Sequence, residues 1–247
     1  MIRFEASQRF LVTGASSGIG LSVARILNQL GATVIGVART AERLATASEG
    51  MQDAARFLAQ PRDLSTDLDG VGAWMRELSE RVGPLAGLIH CAGMYDVTPL
   101  KVLSLDRARA VFDVNFFSAL ALCKGFARRD VNVGESSITL MSSISSIRGF
   151  SSVVAYSASK GALNASVRAL AHELGRQRIR VNALIPGVID TEMTRAAPPE
   201  QTAYLLGRQP FGIGKPEDVA YLCAYLASSC GRFITGQCIG VDGGASL

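Results

Sequence analysis

The chain has 247 residues, 48% hydrophobic and 19% charged, which is enough apolar sequence to bury a large core. Its 25 Lys and Arg against 21 Asp and Glu leave a net charge of +4, scattered rather than gathered into the basic stripe that a nucleic-acid surface needs. No apolar run reaches membrane-spanning length, no secretory signal core precedes the first strand, and Cys91, Cys123, Cys223, Cys230 and Cys238 show neither CxxC nor metal-type spacing.

In chain order, short apolar runs alternate with helical patterns. Arg9–Thr13 predicts a buried strand, and Ile19, Val23, Ile26, Leu27 and Leu30 then recur at helical spacing up to Gly31. Thr33–Ala38 predicts a second strand, with a helix from about Ala41. Ala55–Gln60 predicts a third, followed by a helix carrying Trp74, Met75 and Leu78 and ended by Gly83-Pro84. Gly87–Cys91 is the fourth strand, and one long helix is expected over Leu105–Ala127. Ser136–Ser143 is the fifth, followed by a helix over Ser152–Gly175; Arg178–Ile185 is the sixth. A last helix starts near Pro216, and Gln237–Asp242 is the final strand. The dense basic cluster Arg176–Arg180 falls where a helix ends, where cations complement the helix dipole. Strand–helix alternation from end to end predicts an α/β fold with a parallel sheet covered on both faces. No linker, repeat or low-complexity tract interrupts it, so one domain over 1–247 is expected. Ligands of such sheets bind beyond the C-terminal strand ends, near the switch in strand order.

The segment TGASSGIG, Thr13–Gly20, lies at such an end. Gly14 suits a tight turn, and Gly18 and Gly20 admit close backbone approach to a phosphate. The following helix offers free N–H groups and the positive end of its dipole. Gly14, Ser16, Ser17, Gly18, Ile19 and Gly20 are therefore the candidate phosphate cradle of a dinucleotide site. After the second strand, Ala38-Arg39-Thr40 stands where an acidic residue would select NAD(H). Arg39 offers a forked guanidinium to a 2′-phosphate, which predicts NADP(H) over NAD(H). The alternative is an exposed arginine at the start of a helix.

Tyr156 and Lys160 lie four apart in YSASKGALNASVRALAHEL and share a helix face. An ammonium beside a phenol favours the phenolate, so Lys160 is expected to lower the Tyr156 pKa and make it a usable proton donor and acceptor.

TGASSGIG, Asp63-Leu64, HCAG (His90–Gly93), Asn115, Ser143, YSASK and IPGVIDT (Ile185–Thr191) occur in one order and, with ITGQCIGVDGG near the C-terminus, cover the whole chain. Together they resemble the short-chain dehydrogenase/reductase family in its small form. The resemblance implies a doubly wound, Rossmann-type three-layer α/β/α sandwich with a mainly seven-stranded parallel sheet. It implies that Tyr156 exchanges a proton with the substrate oxygen, that Lys160 tunes it and binds the nicotinamide ribose, and that Ser143 holds the substrate oxygen. Asn115 resembles the residue that organises a water relay; its plain alternative is bonding to local backbone. Ser142 is the neighbour to be told from Ser143, since adjacent strand residues face opposite ways. Asp63 and Leu64 resemble the adenine contacts. Cys91, Ala92 and Gly93 resemble the backbone that approaches the cofactor, and Pro186, Gly187, Val188, Ile189 and Thr191 resemble the loop that holds the nicotinamide. HCAG departs from the family's usual NNAG; His90 is expected to be a satisfied strand-end histidine.

The expected function is NADP(H)-dependent interconversion of a carbonyl and a secondary alcohol, on a 3-oxoacyl thioester or a small ketone or sugar. The alternative is a catalytically silent NADP(H)-sensing scaffold, which has no need of Ser143, Tyr156 and Lys160. Met94, Tyr95, Ile144 and Arg148 are candidate substrate contacts. The stretch at about 191–214 is a candidate lid, whose Tyr204 and Leu205 either line the pocket or only pack. The resemblance further implies homotetramers or homodimers, and the sequence suits the cytoplasm, with no metal, nucleic-acid or membrane partner.

Overall fold

A computed structural model describes residues 2–247. Its strands are β1 (Arg9–Thr13), β2 (Thr33–Ala38), β3 (Phe57–Pro61), β4 (Leu85–His90), β5 (Asn132–Met141), β6 (Ile179–Pro186) and β7 (Cys238–Val241). They form one parallel sheet in the order β3-β2-β1-β4-β5-β6-β7. β1 shows why both faces are covered: Phe10 and Val12 join one apolar cluster and Leu11 the other, as the two-residue strand period requires.

Helices α1 (Gly18–Gln29) and α2 (Ala41–Glu49) cover the first face together with a later helix, α9. The second face carries α3 (Val71–Val82), α4 (Leu105–Phe112), α5 (Ser118–Phe126) and α6 (Val154–Leu174). Met75, Leu122, Phe126 and Val167 fill the space between these helices and the sheet. Two short helices, α7 (Glu192–Arg195) and α8 (Pro199–Leu206), follow β6, and α9 (Pro216–Ala227) completes the set. The seven strands and the two helical layers match the expected fold. Among the described residues no helix is long and apolar enough to cross a membrane, and all five cysteines are free thiols.

Most element ends shift by one to four residues from expectation, and two of the differences matter for the site. The fifth strand ends at Met141, not Ser143. Ser142 N–H still donates to Leu184 O at 2.8 Å, but Ser143 caps a single turn of 3-10 helix over Ile144–Ser146, its hydroxyl accepting from Ser145 N–H. The expected long helix is interrupted by a π-helical turn at Asp113–Phe117. Such a turn widens the helix by one residue and re-aims the side chains it carries. Here it buries Asn115 completely.

Candidate active site

Strand order reverses between β1 and β4, whose ends align so that Thr13 pairs with His90, and His90 with Leu140 of β5. A cleft of about 220 Å³ opens beyond these ends, as the rule for doubly wound sheets requires. Its floor is the turn from β1 into α1. Gly14 takes a φ of +66°, and a Cβ there would sit 3.0 Å from Ala92 N; at Gly20 a Cβ would lie 2.3 Å from Gly14 O. Only glycine lets these backbones approach so closely. Ser17, Gly18 and Ile19 also line the cleft, and α1 points its N-terminus into it. Ser16 lies outside the wall.

Thr13 ties the two strands together. Its hydroxyl accepts from Ala92 N–H at 3.0 Å and lies 2.9 Å from His90 Nδ1. His90 is fully buried, with Ser118 Oγ 3.4 Å from its other ring nitrogen. Burial, reinforced by the Lys160 charge, pushes its pKa down to about 3. It is therefore the neutral, satisfied strand-end histidine that the sequence suggested. Cys91, Ala92 and Gly93 follow it in the cleft wall; burial raises the Cys91 thiol to about 12, so it is not a nucleophile at neutral pH.

Ser143, Tyr156 and Lys160 converge on this cleft. Ser142 and Ser143 turn apart: Ser142 Oγ donates to Lys160 O at 3.1 Å, while Ser143 lines the cleft with Tyr156, close enough to oppose the rise of the phenol's pKa. Lys160 Nζ donates to Met141 O at 2.8 Å and stands 5.9 Å from the Tyr156 ring centre. Burial lowers the Lys160 pKa to about 8, with the Cys91 thiol opposing. The phenol departs from expectation. Its pKa is raised, not lowered, because burial outweighs the opposing effect of Ser143.

Asn115 does not bond merely local backbone. Its Oδ1 accepts from Met94 N–H at 2.7 Å, and its Nδ2 donates to Met94 O and to Ser159 Oγ, both at 3.0 Å. It holds the loop after β4 onto α6. A Cβ at Gly93 would lie 3.3 Å from both Asn115 Oδ1 and Lys160 Nζ, so the two groups meet across that glycine. Met94 is consequently a backbone anchor and is absent from the cleft wall, whereas the next residue, Tyr95, lines it. The Tyr95 ring stands edge-on to Tyr156, centres 4.8 Å apart. Beyond it, buried Asp96 pairs with Arg107 at 2.5 Å.

Pro186, Gly187, Val188, Ile189 and Thr191 line the opposite wall, with Ile144 between. Of the candidate lid, Met193, Ala197, Thr202 and Leu205 face the cleft. Tyr204 does not; it stands edge-on to Phe150 with the Arg208 guanidinium over its ring. Arg148 is also outside the cleft. Its guanidinium donates to the Ser246 and Leu247 carbonyls and anchors the C-terminus, which removes it as a substrate contact. Sequence reading did not single out Glu192, Met193 and Gln209 within the lid stretch, or Ser159 within YSASK.

At the far end, Arg39 is exposed just past β2 and, among the described residues, has no ion-pair partner. It lies near enough to Asp63 to help lower that carboxyl's pKa, chiefly set by hydrogen bonds from Ser65. Leu64 turns its side chain into the core beside Leu11 and Ile35, so only its backbone remains for a ligand. The glycine cradle, the α1 N-terminus and the unpaired Arg39 together fit a phosphorylated dinucleotide.

Comparison with known proteins agrees. A family model described as enoyl-(acyl carrier protein) reductase matches residues 14–246. The 3-oxoacyl-(acyl-carrier-protein) reductase FabG of Pseudomonas aeruginosa is 35% identical over 240 residues, covering 95% of each chain. The cis-4-hydroxycyclohexanecarboxylate dehydrogenase of Sinomonas cyclohexanicum is 34% identical, over 95% of this chain and 94% of that one. A short-chain dehydrogenase from Burkholderia cenocepacia, solved in complex with NADP, superposes with a TM-score of 0.91 at 31% identity, over 100% of this chain and 99% of that one. A dehydrogenase/reductase from Sinorhizobium meliloti gives 0.93 at 30% identity, over 100% and 97%. The chain belongs to the short-chain dehydrogenase/reductase family of NAD(P)-dependent oxidoreductases.

Proposed function

We propose that the protein reduces a carbonyl to a secondary alcohol with NADPH, and runs the reverse oxidation with NADP+. The observation that carries this is the meeting of two hydroxyls, Ser143 and Tyr156, in a cleft whose burial keeps the phenol protonated. A protonated phenol is the form that donates to an oxygen gaining negative charge. The NADP complex of the Burkholderia relative supports the choice of cofactor, as does the free guanidinium of Arg39.

The residues that would hold the cofactor are Gly14, Ser17, Gly18, Ile19 and Gly20 at the phosphates, Arg39 at the 2′-phosphate and Asp63 at the adenine. Cys91, Ala92 and Gly93 would flank its middle, and Pro186–Thr191 the nicotinamide. When bound, the nicotinamide supplies or accepts the hydride. The chain does the rest. Ser143 orients the substrate oxygen, and Tyr156 Oη gives it a proton as charge develops. Lys160, positively charged below about pH 8, stabilises the phenolate left behind, and a relay through Lys160 and Asn115 returns the proton from solvent. Ile144, Val188, Met193 and Leu205 make the substrate end apolar, with Tyr95 as its aromatic wall. A 3-oxoacyl thioester or a small ketone fits this lining, and the FabG relative supports the former.

The protein is further read as one domain over 1–247 that assembles into homodimers or homotetramers. Leu100, Val102 and Leu105, each about 70% exposed, and the partly exposed Phe117 and Leu120 lie on or beside the helices expected to pair and support this. Free cysteines suit the cytoplasm.

Tyr156→Phe tests the reading. It removes the proton but keeps the ring, so NADPH oxidation with a generic diketone should fall by about 100-fold or more while the NADPH Kd stays nearly constant. A variant that turns over at the wild-type rate refutes the role of Tyr156.

A further inference from the structure

The side chain of Gln209 lies between α8 and α9, is 4% exposed, and carries no charge or reactive group. Among the described residues its side chain makes three hydrogen bonds, all to backbone. Its Oε1 accepts from Val188 N–H at 2.8 Å, and its Nε2 donates to Val188 O at 3.1 Å and to Gly212 O. The amide thus pairs with Val188 as a strand residue pairs with its neighbour, satisfying both its N–H and its C=O. Two glycines leave room for it: a Cβ at Gly187 would lie 2.4 Å from Gln209 Oε1, and one at Gly243 would lie 3.0 Å from Gln209 Cγ. The same loop is fastened a second time. Gly214 N–H donates to Val188 O at 2.9 Å, and Asp190 N–H donates to Gly214 O at 2.8 Å.

We propose that Gln209 is a positioning residue for hydride transfer: its amide fixes the Val188 backbone, and with it the loop Pro186–Thr191 that sets where the nicotinamide ring lies. The proposal rests on the NADP(H) reading above. It also makes the far end of the lid and the nicotinamide wall one rigid piece, so that lid motion is confined to the segment before Gln209. Nothing in the amide touches the reacting atoms; its effect passes through Val188 and Ile189.

The test uses Gln209→Leu, Gln209→Glu and the wild type. Leucine keeps volume and removes all three bonds. Glutamate is a pH-dependent rescue. Protonated, its carboxyl offers one donor and one acceptor, as the amide does toward Val188; ionised, it only accepts and faces two carbonyl oxygens. The charged groups around the position are Arg148 and Arg208, which line the same small cavity, and Asp242 beside Gly187. The arginines favour the ionised form and Asp242 opposes it; these set the pH of the change, not its sign.

Three readouts are taken: exchange of the Val188 amide hydrogen without added dinucleotide, kcat and NADPH Kd with a diketone, and deuterium transfer from each face of 4-deuterated NADPH. For Gln209→Leu we expect faster exchange at Val188, a fall in kcat of about 10- to 100-fold, and transfer from both faces of the ring. Gln209→Glu should approach wild-type kcat and facial fidelity at low pH and lose both as pH rises. If Gln209→Leu loses thermal stability but keeps wild-type kcat and fidelity at 25 °C, the role is only structural and the proposal is overturned. If Gln209→Leu does not fold, the pH profile of Gln209→Glu decides: a profile parallel to that of the wild type overturns it. A wild type that neither binds nor oxidises NADPH sinks the parent reading with it, whereas wild-type turnover with unaltered variants sinks this proposal alone.

Discussion

Lys160 should cost the fold stability, and removing it should show how much. The ammonium is 4% exposed, and burial brings its pKa from 10.5 to about 8. The folded state therefore binds its proton less tightly than the unfolded chain does. Below about pH 8 both states carry the proton, and the full penalty is present. Between pH 8 and 10.5 the folded lysine is neutral while the unfolded one is still charged, so stability rises with pH. Above 10.5 the penalty is gone. A shift of 2.5 units (10.5 − 8) is worth roughly 3 kcal/mol at ~1.4 kcal/mol per unit. Lys160→Met keeps an unbranched side chain of similar length and removes the charge. It also removes the bond to Met141 O, about 1–1.5 kcal/mol. The net gain at pH 7 is about 2 kcal/mol, or roughly 4–8 °C in Tm for a chain of this size. Turnover should be lost at the same time. The check is a thermal melt of both proteins at pH 7 and at pH 10.5. The advantage of Lys160→Met should vanish or reverse at the higher pH, where only the lost hydrogen bond remains. A variant less stable than wild type at pH 7, or a gain that does not shrink with rising pH, means that the site does not hold a desolvated ammonium.

Arg39→Asp should raise the NADPH Kd by about 10- to 100-fold, the worth of charge-assisted bonds to a phosphate, and leave NADH binding equal or better; fluorescence titration with both cofactors measures it. Tyr95→Ala should lower kcat/KM for a small ketone by about 2- to 10-fold, from an aromatic contact worth ~0.5–1.5 kcal/mol against Tyr156, and improve turnover of bulkier ketones. A substrate series of graded size reads both directions.

The fold was largely legible because its signals are local. Each strand of a covered parallel sheet is a short apolar run, and each run from Arg9 to Val241 stood between helical patterns. The cradle was legible for a similar reason: Gly14 and Gly20 are constrained by contacts within their own βα turn and with Ala92. What escaped was set by packing between distant segments. The sequence gives no sign that Asp113–Phe117 forms a π turn, yet that turn buries Asn115 and aims it at Met94. Arg148 looked like a cation poised over the substrate, but a C-terminus 98 and 99 residues away claims it. The phenol of Tyr156 was expected to be acidified by Lys160, and the spacing of the two is right. The low exposure of both decides otherwise, since the cost of a buried phenolate depends on surroundings that a four-residue interval does not describe.

The two walls of the cleft are built to different standards, and this division follows from their bonds. The wall formed by β1, β4 and the loop after β6 is tied by buried groups: Thr13 to Ala92, Asn115 to Met94, Gln209 to Val188. The lid side is held from Thr191 to Arg208 mainly by exposed contacts. Arg43 of α2 meets Glu192 of α7 at 2.7 Å, with side chains 48% and 62% exposed, and such a pair contributes at most about 1 kcal/mol. The Phe150–Tyr204 edge contact is likewise half in solvent. A ligand entering between these walls meets a rigid cofactor side and a substrate side that moves at little energetic cost.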